Sequence, residues 1–126
     1  MHIIRLRRPW RKSFGLHSVP LTVDVPDVDG AATPDQEHTA TYRRSFNQPT
    51  GLEPSSRVQL RVERWQGVMT SATLNNAPLQ TGSTRIDTDI TDLLQPQNQL
   101  AIVLTGRPGQ VARLSGEVTL AISEDP

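Results

Sequence analysis

Residues 57–104 read RVQLRVERWQGVMTSATLNNAPLQTGSTRIDTDITDLLQPQNQLAIVL, and this stretch decides the fold. In its first part Val58, Leu60 and Val62 alternate with Arg57, Gln59, Arg61 and Glu63. A period of two sends one row of side chains into a core and the other into water, the mark of a half-buried strand. A weaker alternation follows, with Val68, Ala72 and Leu74 set against Met69, Ser71 and Thr73. It closes on Asn75-Asn76, where Asn tolerates the left-handed backbone of a tight hairpin turn. Ile86, Thr88 and Ile90 form a third run, and Leu100, Ile102 and Leu104 a fourth. Strands punctuated by turns at this spacing predict an all-β sandwich of two antiparallel sheets.

The flanks extend the pattern. Tyr42, Arg44 and Phe46 share one face of the run ATYRRSFN, with Thr41, Arg43 and Ser45 on the other. Val118, Leu120 and Ile122 alternate near the C-terminus, with Gly116 expected at a bulge or bend within that final strand. Leu21, Val23 and Val25 suggest a short strand before Pro26. Ile4 and Leu6 facing inward, with Arg5 and Arg7 outward, suit a charged edge strand that resists edge-to-edge pairing. The chain of 126 residues is read as a single domain, interrupted by an acidic, Pro- and Gly-containing loop over about residues 26–39.

The ordered set Tyr42, Arg44, Phe46; Val62-Glu63; Leu74-Asn75-Asn76 and Leu79; Asp89-Ile90-Thr91-Asp92-Leu93-Leu94; then Pro96, Asn98 and Leu100 to Leu104 resembles one known family. It is similar to the sugar-binding domain of family 2 glycoside hydrolases, the β-galactosidase and β-glucuronidase family. That resemblance covers about half the chain and implies a jelly-roll β-sandwich of the galactose-binding-like type. Two features depart from the pattern: Asn76 stands where Gly is usual, and the turn Arg64-Trp65-Gln66-Gly67 is longer. In the resembling family the catalytic carboxylates belong to a separate barrel domain, so the resemblance implies an accessory, non-catalytic role.

Composition narrows the function. The formal charge is zero, which gives the molecule no overall pull towards nucleic acid or membrane. There is no cysteine, hence no disulfide and no thiolate chemistry. Twelve arginines against the single Lys12 fit the codon usage of a GC-rich genome. No signal peptide and no membrane span is read in the sequence, which makes a cytoplasmic protein the simplest expectation. His2, His17 and His38 have no spacing that suggests a metal site or a triad, and no phosphate loop or nucleophile elbow is present. No enzyme is expected.

Specific side chains remain. Trp65 falls where the strand over residues 57–65 turns, and parity places it outward, where it can stack on a sugar ring; the alternative is a lid folded over the end of the sandwich. Trp10 lies among Arg7, Arg8, Arg11 and Lys12 and is the second candidate ligand contact. Arg44 between two core aromatics needs a carboxylate, Asp87 or Asp89, or else reaches a ligand hydroxyl. Thr91 or Asp92 is expected to cap the turn at Leu93-Leu94. No cofactor is required. Asp24, Asp27, Asp29, Asp35 and Glu37 lie close enough in sequence to suggest a calcium loop, although their spacing fails the helix-loop-helix pattern. The expected partner is a carbohydrate or similar small polar ligand, and the alternative is another protein.

Overall fold

In a computed structural model, which describes residues 1–15, 19–27, 39–79 and 84–124, the expected strands form and assemble into two antiparallel sheets. In chain order they are β1 (His2–Arg5), β2 (Trp10–Phe14), β3 (Leu21–Val23), β4 (Thr39–Asn47) and β5 (Ser56–Val62). Then come β6 (Val68–Leu74), β7 (Ala77–Pro78), β8 (Ile86–Asp89), β9 (Gln97–Thr105) and β10 (Val118–Glu124). One sheet has the order β1-β10-β5-β8 and the other β3-β2-β4-β9-β6-β7. This is the all-β sandwich that the alternation predicts.

Register places the apolar rows together. Leu60 pairs with Leu120 and Val62 with Val118 in the smaller sheet. Tyr42 pairs with Ile102 and Ala40 with Leu104 in the larger one. All eight are buried in a continuous core between the layers. Burying such side chains is worth about 1.5–3 kcal/mol each relative to exposure, and this term drives the two sheets together.

Turn chemistry closes the hairpins. Asn75 and Asn76 adopt φ of 53° and 68°, the left-handed pair that a two-residue turn between β6 and β7 demands. Asn98 is wholly buried and fully used. Its amide nitrogen donates to the carbonyls of Phe46 (3.3 Å) and Gln95 (2.8 Å), and its oxygen accepts from Asn75 Nδ2 (3.0 Å) and the Gln95 N–H (2.9 Å). One side chain therefore ties β4, the β6–β7 turn and the approach to β9 together.

Several expectations are corrected. Residues 1–15 hold a second strand: β2 pairs with β4 through Lys12↔Tyr42 and Arg11↔Arg43. The faint alternation of β6 has a cause, a register shift between Met69 and Ser71 that reverses parity, so Val68 is 42% exposed while Met69 packs on the core. Gly116 lies before β10, not within it, and its N–H donates to the Arg64 carbonyl at 2.9 Å. A Cβ there would sit 2.7 Å from the Arg64 nitrogen, so the crossing requires glycine. Thr91 and Asp92 do not cap the 3-10 turn Thr91–Leu93, which has no side-chain cap. Instead Asp89 Oδ1 accepts from the Thr91 N–H at 2.9 Å, and the Thr91 hydroxyl accepts from the Val58 N–H at 2.8 Å.

Candidate functional site

The inward row of β2 and β4 carries the chemistry. Lys12 is 3% exposed, and its Nζ donates to Asp27 Oδ2 at 2.8 Å. The same oxygen accepts from the Tyr42 hydroxyl at 2.6 Å, and that hydroxyl accepts from the Leu114 N–H at 3.2 Å. Lys12 Nζ also stands 4.9 Å and 5.2 Å from the ring centres of Phe14 and Tyr42. Burial first, and then the bond to Asp27, push the Tyr42 hydroxyl far above the usual phenol range, so it remains a donor. The Asp27 N–H donates to the Leu114 carbonyl at 2.9 Å, clamping the segment after β3 to the segment before β10. This end of the sandwich is closed and internally neutralised.

Two residues further along β4 the layers part. Pairing with β2 ends at Arg11↔Arg43, so from Arg44 to Asn47 β4 has a strand neighbour on the β9 side only. A cleft of about 480 Å³ opens there, between this half-free stretch and the edge strand β1. Ile4, Leu6, Phe46 and Leu120 form its apolar part, and Arg5, Arg44, Asn47, Gln97 and Gln99 its polar part. The volume falls within the roughly 300–1,000 Å³ range of small-molecule sites.

Arg44 lies on the inward row of β4, as its parity with Tyr42 and Phe46 requires. Its Nη1 donates to the Ser45 carbonyl, while its buried Nε has no hydrogen-bond partner. Burial draws the guanidinium below its usual value, though an arginine stays cationic at neutral pH. The expected carboxylate partners are elsewhere. Asp87 and Asp89 belong to the other sheet and face outward, where Asp89 meets Arg57 at 2.8 Å and Asp87 meets Arg61 at 3.5 Å and Arg85 at 3.3 Å. Burial alone raises Asp89, but hydrogen bonds from Thr91 and the pairing with Arg57 outweigh it and hold the carboxyl below the ordinary carboxylate range.

Trp10 is placed differently from expectation, whereas Trp65 packs inward, as its alternative reading as a lid has it. Trp10 is 0% exposed, with Nε1 donating to the Leu6 carbonyl at 2.7 Å and its ring edge-on to Tyr42 at 6.5 Å. A ring with both faces in the core offers no stacking surface, so Trp10 is a core residue and not a ligand contact. Trp65 is half-buried and packs on the core beside the Gln66↔Arg113 bridge. Gly67, at φ 90°, fixes the approach, because a Cβ would lie 2.4 Å from the Thr105 carbonyl oxygen. Thr105 pairs with Thr39, so Trp65 belongs to the opposite end of β4 from the cleft, whose lining does not include it.

Of the acidic loop, Asp24 pairs with Arg8 at 3.1 Å and Asp27 is occupied by Lys12 and Tyr42. Asp29, Asp35 and Glu37, like His17 and His38, lie outside the described residues. Among the described residues no cluster of His, Asp or Glu is arranged to hold a metal ion. No described helix is long and apolar enough to cross a membrane.

The sandwich matches solved structures over nearly its whole length. It is similar to an FMN-binding β-glucuronidase from Faecalibacterium prausnitzii, with a TM-score of 0.76 and 21% identity over 98% of this chain and 22% of that one. The β-glucuronidase of Bifidobacterium dentium matches with a TM-score of 0.77 and 16% identity, over 98% of this chain and 30% of that one. A β-D-mannosidase from Dictyoglomus thermophilum gives 0.73 and 14%, over 96% and 22%. The fold is that of one segment of the family 2 glycoside hydrolases. This chain spans less than a third of each of those enzymes. No family model matches the chain, and no curated relative does either.

Proposed function

We propose that this chain is a non-catalytic binding module for a carbohydrate or a similar small polar ligand, held in the cleft between β1 and β4. The observation that carries the reading is the composition of that cleft: apolar side chains on one part, and residues with two guanidinium groups and three carboxamides on the other. A sugar ring has matching halves, an apolar face of C–H bonds and a rim of hydroxyls that donate and accept. Among the described residues no Asp, Glu or His lines the cleft, which supports a binding role over a hydrolytic one, since glycoside hydrolysis uses a pair of carboxyl groups. The match to a minor segment of large glycosidases supports an accessory role.

Titration of simple sugars, followed by the amide resonances of β1 and β4, tests the proposal. Saturable shifts confined to the cleft lining are expected. Their absence at millimolar sugar, together with a co-purifying protein or self-association, would favour the alternative of a docking domain without a small ligand. That alternative also draws on the comparisons, because in each of those enzymes the matched sandwich is part of a much longer polypeptide.

A further inference from the structure

The two sheets treat their outward-facing arginines differently. On the smaller sheet each outward strand arginine has a carboxylate: Arg5 lies 3.7 Å from Glu117, Arg57 2.8 Å from Asp89 and Arg61 3.5 Å from Asp87. The six strands of the larger sheet contain four cations, Arg11, Lys12, Arg43 and Arg44, and no acidic residue. Arg11 and Arg43 are the two on its outer face: both are exposed, while Lys12 and Tyr42 beside them are buried. The register sets them directly opposite each other on β2 and β4. Such cross-strand residues hold their Cβ atoms about 4.5–5.5 Å apart, and like charges in that position destabilise a sheet. Their row crosses the sheet as Thr22, Arg11, Arg43, Ala101, Thr73 and Pro78, so neither flank supplies an anion. Asp24, two residues beyond Thr22, is taken by Arg8 at 3.1 Å. Neither arginine is within ion-pair distance of a carboxylate among the described residues. Codon usage fits the number of arginines but not the placing of two face to face on a sheet without acids.

We propose that the outer face of the larger sheet docks an acidic segment of a partner protein, with a carboxylate bridging Arg11 and Arg43. This does not rest on the cleft, whose lining includes neither arginine. A carboxylate set between two guanidinia accepts hydrogen bonds from both and replaces their repulsion with two attractions. Ala101, beside Arg43 on β9, is too small to screen it from an approaching chain. The next outward row, Thr41, Val103 and Ser71, is uncharged and puts no acid in the way. A protein partner fits this face better than a nucleic acid. Two cations on a chain of zero formal charge give little grip on a polyphosphate. All five aromatic side chains, Trp10, Phe14, Tyr42, Phe46 and Trp65, lie in or against the core, which leaves none on this face to stack a base.

The probe is a short peptide of alternating Glu and Gly, with Gln in place of Glu in its neutral control, titrated into the full chain at low salt. Resonances of the backbone amides and arginine Nε–H groups should shift around Arg11, Arg43 and Ala101. Several-fold tighter binding of the glutamate peptide than of the control is expected, a preference that shrinks as sodium chloride is added. The double variant Arg11→Gln, Arg43→Gln should lose that preference, whereas Arg57→Gln on the other sheet should keep it. Because the two arginines repel each other in the free chain, Arg43→Gln should leave Tm unchanged or raise it at low salt. A fall of several degrees would instead reveal a structural partner for Arg43 and remove the premise. Equal binding of the two peptides, or a preference that survives in the folded double variant, would overturn the proposal. So would a short single-stranded oligonucleotide that binds the same resonances more tightly than the glutamate peptide, since the face would then belong to nucleic acid. None of these outcomes bears on sugar binding in the cleft, so the two readings fail separately.

Discussion

Lys12 and Arg44 stand on adjacent strands of one sheet and face the same interlayer space, yet the protein treats them in opposite ways. Around Lys12 everything is closed: the Asp27 carboxylate, itself held by the Tyr42 hydroxyl, and the rings of Phe14 and Tyr42 leave the charge satisfied and dry. Around Arg44 the strand has lost its β2 neighbour, the layers part, and no acid is in reach among the described residues. The difference lies in register. Where β2 still pairs, a cation is sealed into the architecture; one step beyond, the same kind of residue meets an opening. A buried ion pair is poor proof of stability, but breaking one side of it is expensive.

The largest expected effect follows from that. Asp27→Ala leaves Lys12 buried and unpaired, and denaturant unfolding is expected to show a loss of about 3–5 kcal/mol. A loss below about 1 kcal/mol would mean that water reaches Lys12 and that the closed end is open after all. Trp65→Ala probes packing near that end, beside the Gln66↔Arg113 bridge. Its half-buried ring predicts a loss of roughly 2 kcal/mol, less than the cost of removing a fully buried aromatic. Arg44→Met should change stability by less than about 1 kcal/mol in either direction, because it removes an unpaired charge and supplies an apolar stem. A loss as large as that of Asp27→Ala would reveal a structural partner for Arg44 and erase the contrast.

The smallest effect concerns the outer face. Asp89 is held below the ordinary carboxylate range, so its contribution is present above the value it takes in the unfolded chain. That contribution is lost as pH falls through the folded-state value. Melting curves from neutral pH into acid should therefore decline less steeply in Asp89→Asn than in the unmodified chain. Its pairing with Arg57 is solvent-accessible, so the difference in Tm should be modest and should shrink in salt.

The sandwich was legible because alternation is a local property. Val58, Leu60 and Val62, or Leu100, Ile102 and Leu104, declare their faces without reference to any neighbour. Asn75-Asn76 likewise announced its left-handed turn. The site was far less legible. Trp10 and Lys12 were masked by the charged run around them, and Lys12 is buried only because Asp27 returns from beyond β3 to meet it. Arg44 was correctly placed inward between Tyr42 and Phe46, but its expected partners turned out to face water on the other sheet. The cleft itself depends on where β2 stops pairing with β4, and such a register has no linear signature. Trp65 illustrates the limit of parity: a side chain just past a strand's end follows the turn, not the pleat.

Asn98 has a consequence for the opposite rim of the cleft. By holding the Phe46 carbonyl, the Gln95 backbone and the Asn75 amide at once, it leaves the stretch of β4 beside Arg44 little freedom to wander. A ligand of the proposed kind would then meet a wall already in its bound shape and forfeit little conformational entropy in settling there. Loosening that anchor should weaken capture even though Asn98 itself lies beyond reach of anything in solution.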